Sequence, residues 1–490
     1  MRKLIKLLSS RPLFILLLPL FFVVHGIKEH AVLAPIREGF WVLLVYISCA
    51  LVLYFIVWLR IKYSLRAGLF CFSLLAFQFF FGSVHDFSKE QLGTGFFTSY
   101  KFLLPFFLLL FLLLFIYLLR SQQNFTKTAL YLNGLLLLFV LLDLGSILHA
   151  QLTQEKIHVA KVPLPTHACS SCNQPDVYLI IADEYAGEEE LQQLFSFSNE
   201  TFEKELVQRG FHLVRNSASN YNATLFSMAS LLNMGYLEAL PGDLVTNETN
   251  FQCLELIRNN QLTQFLEQQG YLIHNCSFFD IGAKKRLVTH PLFPSRRALF
   301  NAQTFTHRVQ RDLGFHLASK ETLARIQKRI LYQNRTIDSA LRSVAAQKST
   351  APKFVYAHFT YPHHPYYFDS AGTAVPDSCL TDANKVDKQA YISYLKYANH
   401  QLIGLIDRIR EGAQTPFVIM LMGDHGFRQF AAPVDKRYYF MNLNAVFLPH
   451  GDYSGFYPGM TGVNQFRVLL NKEFGGKLPL LPDSSRFLYE

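Results

Sequence analysis

The sequence predicts an α/β protein in which an N-terminal five-helix transmembrane module precedes a domain with a mostly parallel central sheet. Half of the 490 residues are hydrophobic, and Leu and Phe are concentrated in the first third of the chain. Beyond Asp176, short apolar runs alternate with amphipathic stretches, which is the pattern of strands and helices in α/β domains. Several of these apolar runs end in acidic residues or histidines.

Five apolar stretches near the N-terminus predict the transmembrane module. Most of them approach the ~20 residues that a helix needs to cross a bilayer. The first is short and follows a basic N-terminus, so a cleaved signal peptide is the alternative to a retained span, although no small-residue cleavage site follows it. The stretches are Pro12–Val24, Gly39–Leu59, Ala67–Val84, Phe102–Leu119 and Thr128–Leu148.

The charges that flank these stretches predict the orientation of the chain. Arg and Lys residues precede the first stretch and fill the loops after the second and fourth, whereas the alternate loops have mixed charge. By the positive-inside rule the N-terminus is cytoplasmic, and five spans place the rest of the chain outside. We therefore expect a multi-pass protein of the inner or plasma membrane with a periplasmic or extracellular soluble domain. The net charge of +10 suits anionic lipid headgroups, and no basic-aromatic motif indicates nucleic-acid binding.

The predicted domains are a transmembrane module (1–150), a connector (151–175) and a soluble domain (176–490). The connector contains Cys169-Ser-Ser-Cys172, which outside the cytoplasm favours a local disulfide over a redox or zinc site. In the soluble domain we predict strands at Val177–Ala182, Phe354–Ala357 and Phe417–Met422, and helices at Glu188–Arg209, Thr224–Leu237 and Gln389–Glu411.

Each of the three predicted strands ends in side chains of the types that bind metal ions. In open α/β sheets, ligands bind outside the carboxyl ends of the strands, so these side chains are expected to meet. Mixed carboxylate and imidazole ligands suit zinc or manganese better than calcium. The residues are Asp183 with Glu184 beside it, His358 with His363 or His364, and Asp424 with His425.

A candidate nucleophile lies at the start of the second predicted helix. Thr224 and Ser227 both offer a hydroxyl there. A helix N-terminus has free N–H groups and a positive dipole end, which favour an anionic phosphate and an alkoxide. A simple N-cap role for Thr224 fits the same position equally well.

These residues together resemble the alkaline phosphatase/sulfatase superfamily, specifically the membrane-anchored branch of phosphoethanolamine transferases and lipoteichoic acid synthases and related sulfatase-like hydrolase/transferase proteins. Four motifs carry the resemblance: an acid after the first strand, a Thr at a helix start, an H-x4-H-x-P segment and a D-H-G sequence. They correspond to Asp183, Thr224, His358 with His363 and Pro365, and Asp424-His425-Gly426. The resemblance implies an alkaline-phosphatase-like α/β/α sandwich.

The resemblance also implies a role for each residue. The implied metal ligands are Asp183, Thr224, Asp424 and His425, with Glu184 as an alternative acid, and one or two ions are compatible with the pattern. The H-x4-H-x-P histidines, His358 and His363, are implied to bind phosphate or metal, and we assign them, together with His364, to substrate or phosphate binding. The sulfatase nucleophile is a modified Cys or Ser in C/S-x-P-x-R, and because that sequence is missing here, a Thr nucleophile favours phosphoester chemistry.

The function implied by the resemblance is metal-dependent transfer of a phospho-group, such as phosphoethanolamine or phosphoglycerol, from a membrane lipid to an envelope acceptor. A covalent phospho-Thr224 intermediate would carry the group to a glycan or lipid, and we expect the protein to be a monomer. Water as the acceptor would make the protein a phosphodiesterase or another sulfatase-like hydrolase. A non-catalytic membrane-anchored binding protein is the alternative of a different class, because one fold can host several roles.

Overall fold

The structure, a computed structural model, divides into two units. Unit 1 comprises Met1–Gln154 and Leu292–Lys320, and unit 2 comprises Glu155–Pro291 and Glu321–Glu490. Unit 1 therefore takes its second segment from a part of the chain that follows the start of unit 2. The described residues are 2–29, 36–93, 95–153, 156–164, 174–289, 300–317, 329–376, 379–380 and 382–489.

Helices form unit 1, and strands alternate with helices in unit 2. The helices are α1 (Arg2–Ser10), α2 (Phe14–Glu29), α3 (Ile36–Ile61), α4 (Ser64–Leu92), α5 (Tyr100–Arg120), α6 (Thr126–Thr153), α7 (Glu188–Phe195), α8 (Glu200–Gln208), α9 (Thr224–Asn233), α10 (Asn247–Arg258), α11 (Gln261–Gln268), α12 (Phe305–Leu317), α13 (Arg329–Ala346), α14 (Lys388–Gly412) and α15 (Gly462–Glu473). The strands are β1 (Asp176–Ala182), β2 (His212–Leu213), β3 (Leu272–Cys276), β4 (Lys353–Phe359), β5 (Phe417–Gly423) and β6 (Asn444–Phe447). Short 3₁₀ turns lie at Phe96–Thr98, Asp382–Val386 and Lys436–Tyr439.

Four helices within the described residues of unit 1 are long and apolar enough to cross a membrane, judged by length and composition. These are α3 from Gly39, α4, α5, and α6 as far as His149. Helix α2 is apolar but has only 16 residues, which is shorter than the ~20 that a bilayer crossing requires. The predicted count of five spans is therefore not confirmed.

Helix α2 contacts α3, α4 and α6 in unit 1. The rings of Phe22 and Phe79 stack with their centroids 4.5 Å apart in the core of this unit. Asn133 on α6 is buried, and its Nδ2 donates to the carbonyl oxygens of Leu8 (2.7 Å) and Arg11 (2.9 Å). Because an unpaired polar group is costly in an apolar environment, this side chain joins α6 to the end of α1.

A second polar group of α6, Asp143, joins it to α2. The Lys28 ammonium lies 2.9 Å from Asp143 Oδ1, and His25 Nδ1 lies 3.0 Å from Asp143 Oδ2. The Asp143 side chain is buried, whereas both partners are partly exposed. A buried carboxylate is stabilised only when it is paired in this way.

The later segment of unit 1 is bonded to α4. The Gly82 N–H donates to the Gln303 carbonyl oxygen at 2.8 Å, and a Cβ on Gly82 would lie 2.8 Å from Gln303 Cα. Only glycine allows two backbones to approach this closely. The buried Arg308 guanidinium holds Asp86 with both Nη atoms, one of them 2.9 Å from Asp86 Oδ1. Such a bidentate ion pair fixes orientation as well as adding energy.

Unit 2 contains a six-stranded sheet in the order β2-β6-β5-β1-β4-β3. Strand β1 lies between β4 and β5 and is parallel to both, and β3 is parallel to β4. Strand β6 is antiparallel to β5 and to β2. Every residue of β1 is buried, which accounts for its unbroken apolar sequence. The prediction of an α/β domain with a mostly parallel sheet is confirmed.

The register of the three central strands brings their carboxyl ends to one edge. Ala182 at the end of β1 pairs with Phe359 of β4 and with Gly423 of β5. The residues that follow β1 and β5, Asp183 and Asp424, are therefore neighbours across the sheet.

The elements of unit 2 differ in detail from the predicted ones. The predicted helix from Glu188 to Arg209 is two helices, α7 and α8, because Ser196 ends α7 in the left-handed conformation with φ of 51°. Strand β4 extends to Phe359, so His358 lies within the strand and not after it. Helix α9 ends at Asn233. Cys169 and Cys172, for which a disulfide was predicted, lie outside the described residues.

Candidate active site

Three predicted site residues meet at the carboxyl edge of the sheet. Asp183, His358 and Asp424 each offer one ligand atom, and these atoms lie within 4.8 Å of one another. All three residues are buried. The arrangement follows from the strand register, because His358 pairs with Ile181 while Asp183 and Asp424 extend from the neighbouring strand ends.

The Asp424 carboxylate is oriented by backbone hydrogen bonds. Its Oδ1 accepts from the N–H groups of Glu184 and His425, each at 3.0 Å. Its Oδ2 lies 3.3 Å from His425 Nε2. One oxygen is therefore used to fix the side chain, and the other points into the cluster.

The turn after β1 is held in an unfavourable backbone conformation. Glu184 has φ of +60°, which lies in the left-handed region that non-glycine residues rarely adopt. The Tyr391 hydroxyl on α14 stabilises this turn, because it donates to the Glu184 carbonyl oxygen (2.8 Å) and accepts from the Ala186 N–H (3.0 Å). Strain of order 1–3 kcal/mol at such a residue requires support from the surrounding structure, and here the support holds Asp183 in place.

The charges of the cluster fit a divalent cation. Within the described part of the chain, Asp183 Oδ1 and Asp424 Oδ2 are buried and have no hydrogen-bond partner. Burial raises the pKa of Asp183 well above its ordinary value, and the neighbouring charge of Asp424 raises it further. A cation between the two carboxylates would remove this repulsion, and their oxygens together with an imidazole form a donor set suited to zinc or manganese.

His425 is oriented so that its second ring nitrogen faces the cluster. Its Nδ1 donates to the Gly426 carbonyl oxygen at 2.8 Å, which assigns the lone pair to Nε2. Nε2 lies 3.9 Å from Asp183 Oδ1. Burial lowers the pKa of His425 to about 3, and the positive charge of Arg428 contributes to this shift. The imidazole is therefore neutral at physiological pH, and its Nε2 can accept a hydrogen bond or bind a cation.

Thr224 is the first residue of α9, and its hydroxyl points to this imidazole. Thr224 Oγ1 lies 3.1 Å from His425 Nε2, to which it donates. The N-cap residue of α9 is Ala223, so the Thr224 side chain is not the helix cap. The hydroxyl of Ser227 donates to the Asp424 carbonyl oxygen at 2.6 Å. The structure thus separates the two hydroxyls: Thr224 faces the cluster, and Ser227 bonds the backbone behind it.

The remaining predicted residues lie around this centre. His363 Nε2 is 3.7 Å from Glu184 Oε2. His364 packs its ring edge-to-face on Tyr366, and its carbonyl oxygen lies 2.5 Å from His363 Nδ1. Among the described residues, the group whose ligand atoms lie within 4.8 Å of one another consists of Asp183, His358 and Asp424, and the other predicted site residues Glu184, His363, His364 and His425 do not belong to it.

His358 is fully buried. Its Nδ1 lies 2.8 Å from the Tyr356 hydroxyl, and the rings of Phe278 and Phe279 lie 4.5 Å and 5.6 Å from its own. Aromatic neighbours and a fixed hydrogen bond restrict the orientation of the imidazole.

Two residues of the site, Glu190 and Arg428, were not predicted from the sequence. Glu190 on α7 is buried, and its Oε1 accepts from the Phe427 N–H at 3.1 Å. Burial raises the pKa of Glu190 well above its ordinary value. Arg428 lies near Asn222, with its Nη1 donating to the Asn222 carbonyl oxygen at 3.3 Å. Arg428 lies just after the D-H-G sequence, and this position could have identified it as a candidate site residue. Glu190 is one of several acidic residues on an amphipathic helix, and nothing in the sequence distinguishes it from the others.

The sequence model of the sulfatase family matches residues 195–466 of this chain, which is more than half of its length. The match includes Thr224, His358, Asp424 and His425 and begins after Asp183. A search of curated proteins gave no match.

Solved structures that are similar to parts or most of this chain include the following three. The integral membrane lipooligosaccharide phosphoethanolamine transferase A (EptA) from Neisseria meningitidis is 12% identical over 95% of this chain and 96% of its own, with a TM-score of 0.41. The C-terminal periplasmic domain of EcEptC from Escherichia coli, solved in complex with Zn, is 14% identical over 65% of this chain and 87% of its own (TM-score 0.40). The phosphonate monoester hydrolase SpPMH from Silicibacter pomeroyi is 14% identical over 64% and 75% (TM-score 0.40). These TM-scores are too low to assign the activity of any of the three proteins to this chain.

Proposed function

This chain belongs to the sulfatase family, and we propose that it is a metal-dependent transferase that moves a phospho-group from a membrane lipid to an envelope acceptor. The group is of the phosphoethanolamine or phosphoglycerol type. The proposal concerns a phosphoester and not a sulfate ester, because the candidate nucleophile Thr224 is an unmodified hydroxyl residue and does not lie in the C/S-x-P-x-R sequence of a sulfatase nucleophile.

One observation carries the proposal: the Thr224 hydroxyl at the start of α9 lies 3.1 Å from His425 Nε2, beside two buried carboxylates. His425 Nε2 in turn lies 3.3 Å from Asp424 and 3.9 Å from Asp183. A hydroxyl with a hydrogen-bonded partner of this kind is the arrangement of an activated nucleophile. The first N–H groups of a helix have no intrahelical partner, so α9 also offers donors to a phosphate at this point.

We propose that Asp183, Asp424, His425 and the Thr224 oxygen hold the cation, which is zinc or manganese. His358 was predicted to bind phosphate, but it lies close enough to Asp183 and Asp424 to be a further ligand. When bound, the cation would lower the pKa of a coordinated hydroxyl and polarise a phosphoryl oxygen. His363 remains a candidate for binding the phosphate.

The first step is a displacement at phosphorus. Thr224 Oγ1 forms a bond to the phosphorus of the lipid headgroup as the bond from phosphorus to the lipid oxygen breaks. The hydroxyl proton of Thr224 leaves with the departing lipid alcohol, and the phospho-group stays on Thr224. The position of Thr224 as the first residue of α9 holds Oγ1 in place for this attack.

In the second step an acceptor hydroxyl replaces Thr224 on phosphorus, and Thr224 regains its proton. A glycan or lipid hydroxyl makes the reaction a transfer, whereas water makes it phosphodiester hydrolysis. The membrane helices favour a lipid donor, because they keep the enzyme at the surface where that donor is concentrated.

We further propose that α2 crosses the membrane as a fifth span, with the N-terminus in the cytoplasm and unit 2 outside. Basic residues before the first stretch and in the loops after the second and fourth support this orientation. A helix that crosses the bilayer without tilting needs ~20 residues. Helix α2 together with the preceding residues Arg11–Leu13 approaches that length.

The test is to trap the intermediate. The full-length protein in detergent would be loaded with zinc or manganese and mixed with phosphatidylethanolamine or phosphatidylglycerol, quenched in acid and digested. Mass spectrometry should find the phospho-group on Thr224, with diacylglycerol released. Transfer to an added glycolipid, compared with release into water, distinguishes transferase from hydrolase. Release of diacylglycerol without any label on the protein would contradict the covalent mechanism.

A further inference from the structure

Arg428 brings a fixed positive charge to the site without being a predicted site residue. Its backbone N–H donates to Glu184 Oε1 at 2.7 Å, and its Nη1 donates to the carbonyl oxygen of Asn222, two residues before Thr224, at 3.3 Å. Its side chain is 16% exposed, and Nε lies 4.0 Å from Glu184 Oε1. The guanidinium is therefore attached to the backbone that leads into the nucleophile.

Two buried acidic side chains fix the segment that presents this arginine. Glu190 Oε1 accepts from the N–H of Phe427, and Glu184 Oε1 accepts from the next N–H, that of Arg428. Gly426, just before them, has no room for a side chain, because a Cβ there would lie 2.2 Å from the Tyr438 carbonyl oxygen. The backbone from Gly426 to Arg428 is thus held from several sides, which limits where the guanidinium can lie.

The negative charges of the site explain why a positively charged side chain is needed to bind a phosphate there. Asp183, Glu184 and Asp424 are buried carboxylates at the same edge of the sheet, and a phosphoryl anion that approaches Thr224 must come close to them. The Arg428 guanidinium is a positive group beside these carboxylates, with Nε 4.0 Å from Glu184 Oε1 and Nη1 3.3 Å from the Asn222 carbonyl oxygen. A guanidinium binds phosphate oxygens with paired N–H groups.

We propose that Arg428 is a catalytic residue that binds the phosphoryl oxygens of the substrate during attack by Thr224. This inference rests on the proposed function and adds to it the group that offsets the charge of the transferred phospho-group. The competing role is structural, in which Arg428 only neutralises Glu184. The two roles differ in what is lost with the side chain: anion binding in the first, stability and metal binding in the second.

The experiment compares Arg428→Met and Arg428→Lys with wild type, as full-length, zinc-loaded protein in detergent with bis(p-nitrophenyl) phosphate. We expect Arg428→Met to lower kcat/KM by about 10²–10³-fold, as for loss of one oxyanion donor, with metal content and Tm unchanged. Arg428→Lys should recover part of the loss, because it keeps the charge but not the planar fork. Added guanidinium should raise the activity of Arg428→Met and not that of wild type.

The matched control is Arg437→Met. Arg437 lies on the same connection between β5 and β6, is about half exposed and pairs with Glu189 at 3.0 Å. Its replacement should change kcat/KM by less than about twofold, since exposed ion pairs contribute little.

Binding of inorganic phosphate, measured by calorimetry on the same zinc-loaded proteins, decides the inference without turnover. Wild type should bind phosphate at least about tenfold more tightly than Arg428→Met, which corresponds to ~1.4 kcal/mol. Equal affinities, or no binding to wild type, would overturn the role of Arg428. A wild-type enzyme that binds phosphate through Arg428 but never labels Thr224 would instead refute the proposed function alone.

Discussion

Replacing Thr224 is the sharpest test of how the site works. Thr224→Ala should abolish turnover of a phosphodiester substrate, with a loss of at least about 10³-fold, because no other group takes the place of a missing nucleophile. The full-length protein should still fold and should retain most of its metal, since Asp183, Asp424 and His425 are unchanged. The assay is release of p-nitrophenol or diacylglycerol, with metal content and Tm measured on the same sample.

The cost in stability follows from what the Thr224 side chain contacts. The variant loses one hydrogen bond, Oγ1 to His425 Nε2 at 3.1 Å, worth about 0.5–1.5 kcal/mol, and one largely buried methyl group, worth about 0.8 kcal/mol. No capping energy is lost, because Ala223 is the N-cap of α9. We therefore expect the free energy of unfolding to fall by about 1.3–2.3 kcal/mol and Tm to decrease by a few degrees.

Two further variants complete this test. Thr224→Ser keeps a hydroxyl and should retain measurable activity. Ser227→Ala removes the hydrogen bond to the Asp424 carbonyl oxygen and should cost about 1 kcal/mol with a modest effect on rate. An inactive Ser227→Ala beside a fully active Thr224→Ala would make Ser227 the nucleophile, and full activity in both would refute the covalent mechanism.

Three other measurements address the metal, the buried acid and the topology. Asp424→Ala should release the zinc or manganese and lower Tm, because a cation bound only to the native state stabilises it by mass action; wild-type protein that stays metal-free at saturating supply would contradict the site. The raised pKa of Glu190 means that the native state holds a proton that the unfolded chain releases above its ordinary pKa of about 4.3, so stability falls as the pH rises; Glu190→Gln should raise Tm more at pH 8 than at pH 5, and an equal shift at both would refute this. A reporter active only outside the cytoplasm should be active when fused after residue 155 and silent after Arg66 or Lys127; the reverse pattern would invert the orientation.

The central strands of the sheet could be predicted from the sequence because one factor, burial on both faces, determines which residues they contain. Strands β1 and β5 are buried on both faces, so their apolar runs stand out, and parallel register brings Asp183 and Asp424 together without further information. The outer strands were missed. Strand β3 contains His274 and Asn275 and lies at the edge of the sheet, where its sequence has no buried pattern.

Other features depend on contacts between distant parts of the chain. The break between α7 and α8 depends on Ser196 in the left-handed conformation, a position that sequence rules reserve for Gly and Asn. The sequence predicts that Glu190 is a solvent-facing helix residue, but in the structure it is buried against Phe427. The assignment of Leu292–Lys320 to unit 1 depends on partners such as Gly82, more than two hundred residues earlier.

That last assignment has a consequence for biosynthesis. Because the chain is synthesised from its N-terminus, α6 leaves the ribosome long before residues 292–320 do. Unit 1 therefore stays incomplete while the first part of unit 2 is being translated. Neither unit is a continuous stretch of sequence, so neither can complete its packing until its second segment has been made. A protein truncated to begin near residue 155 would carry Arg308 without Asp86 and Gln303 without Gly82. Its solubility would then depend on removing that segment as well as the N-terminal helices.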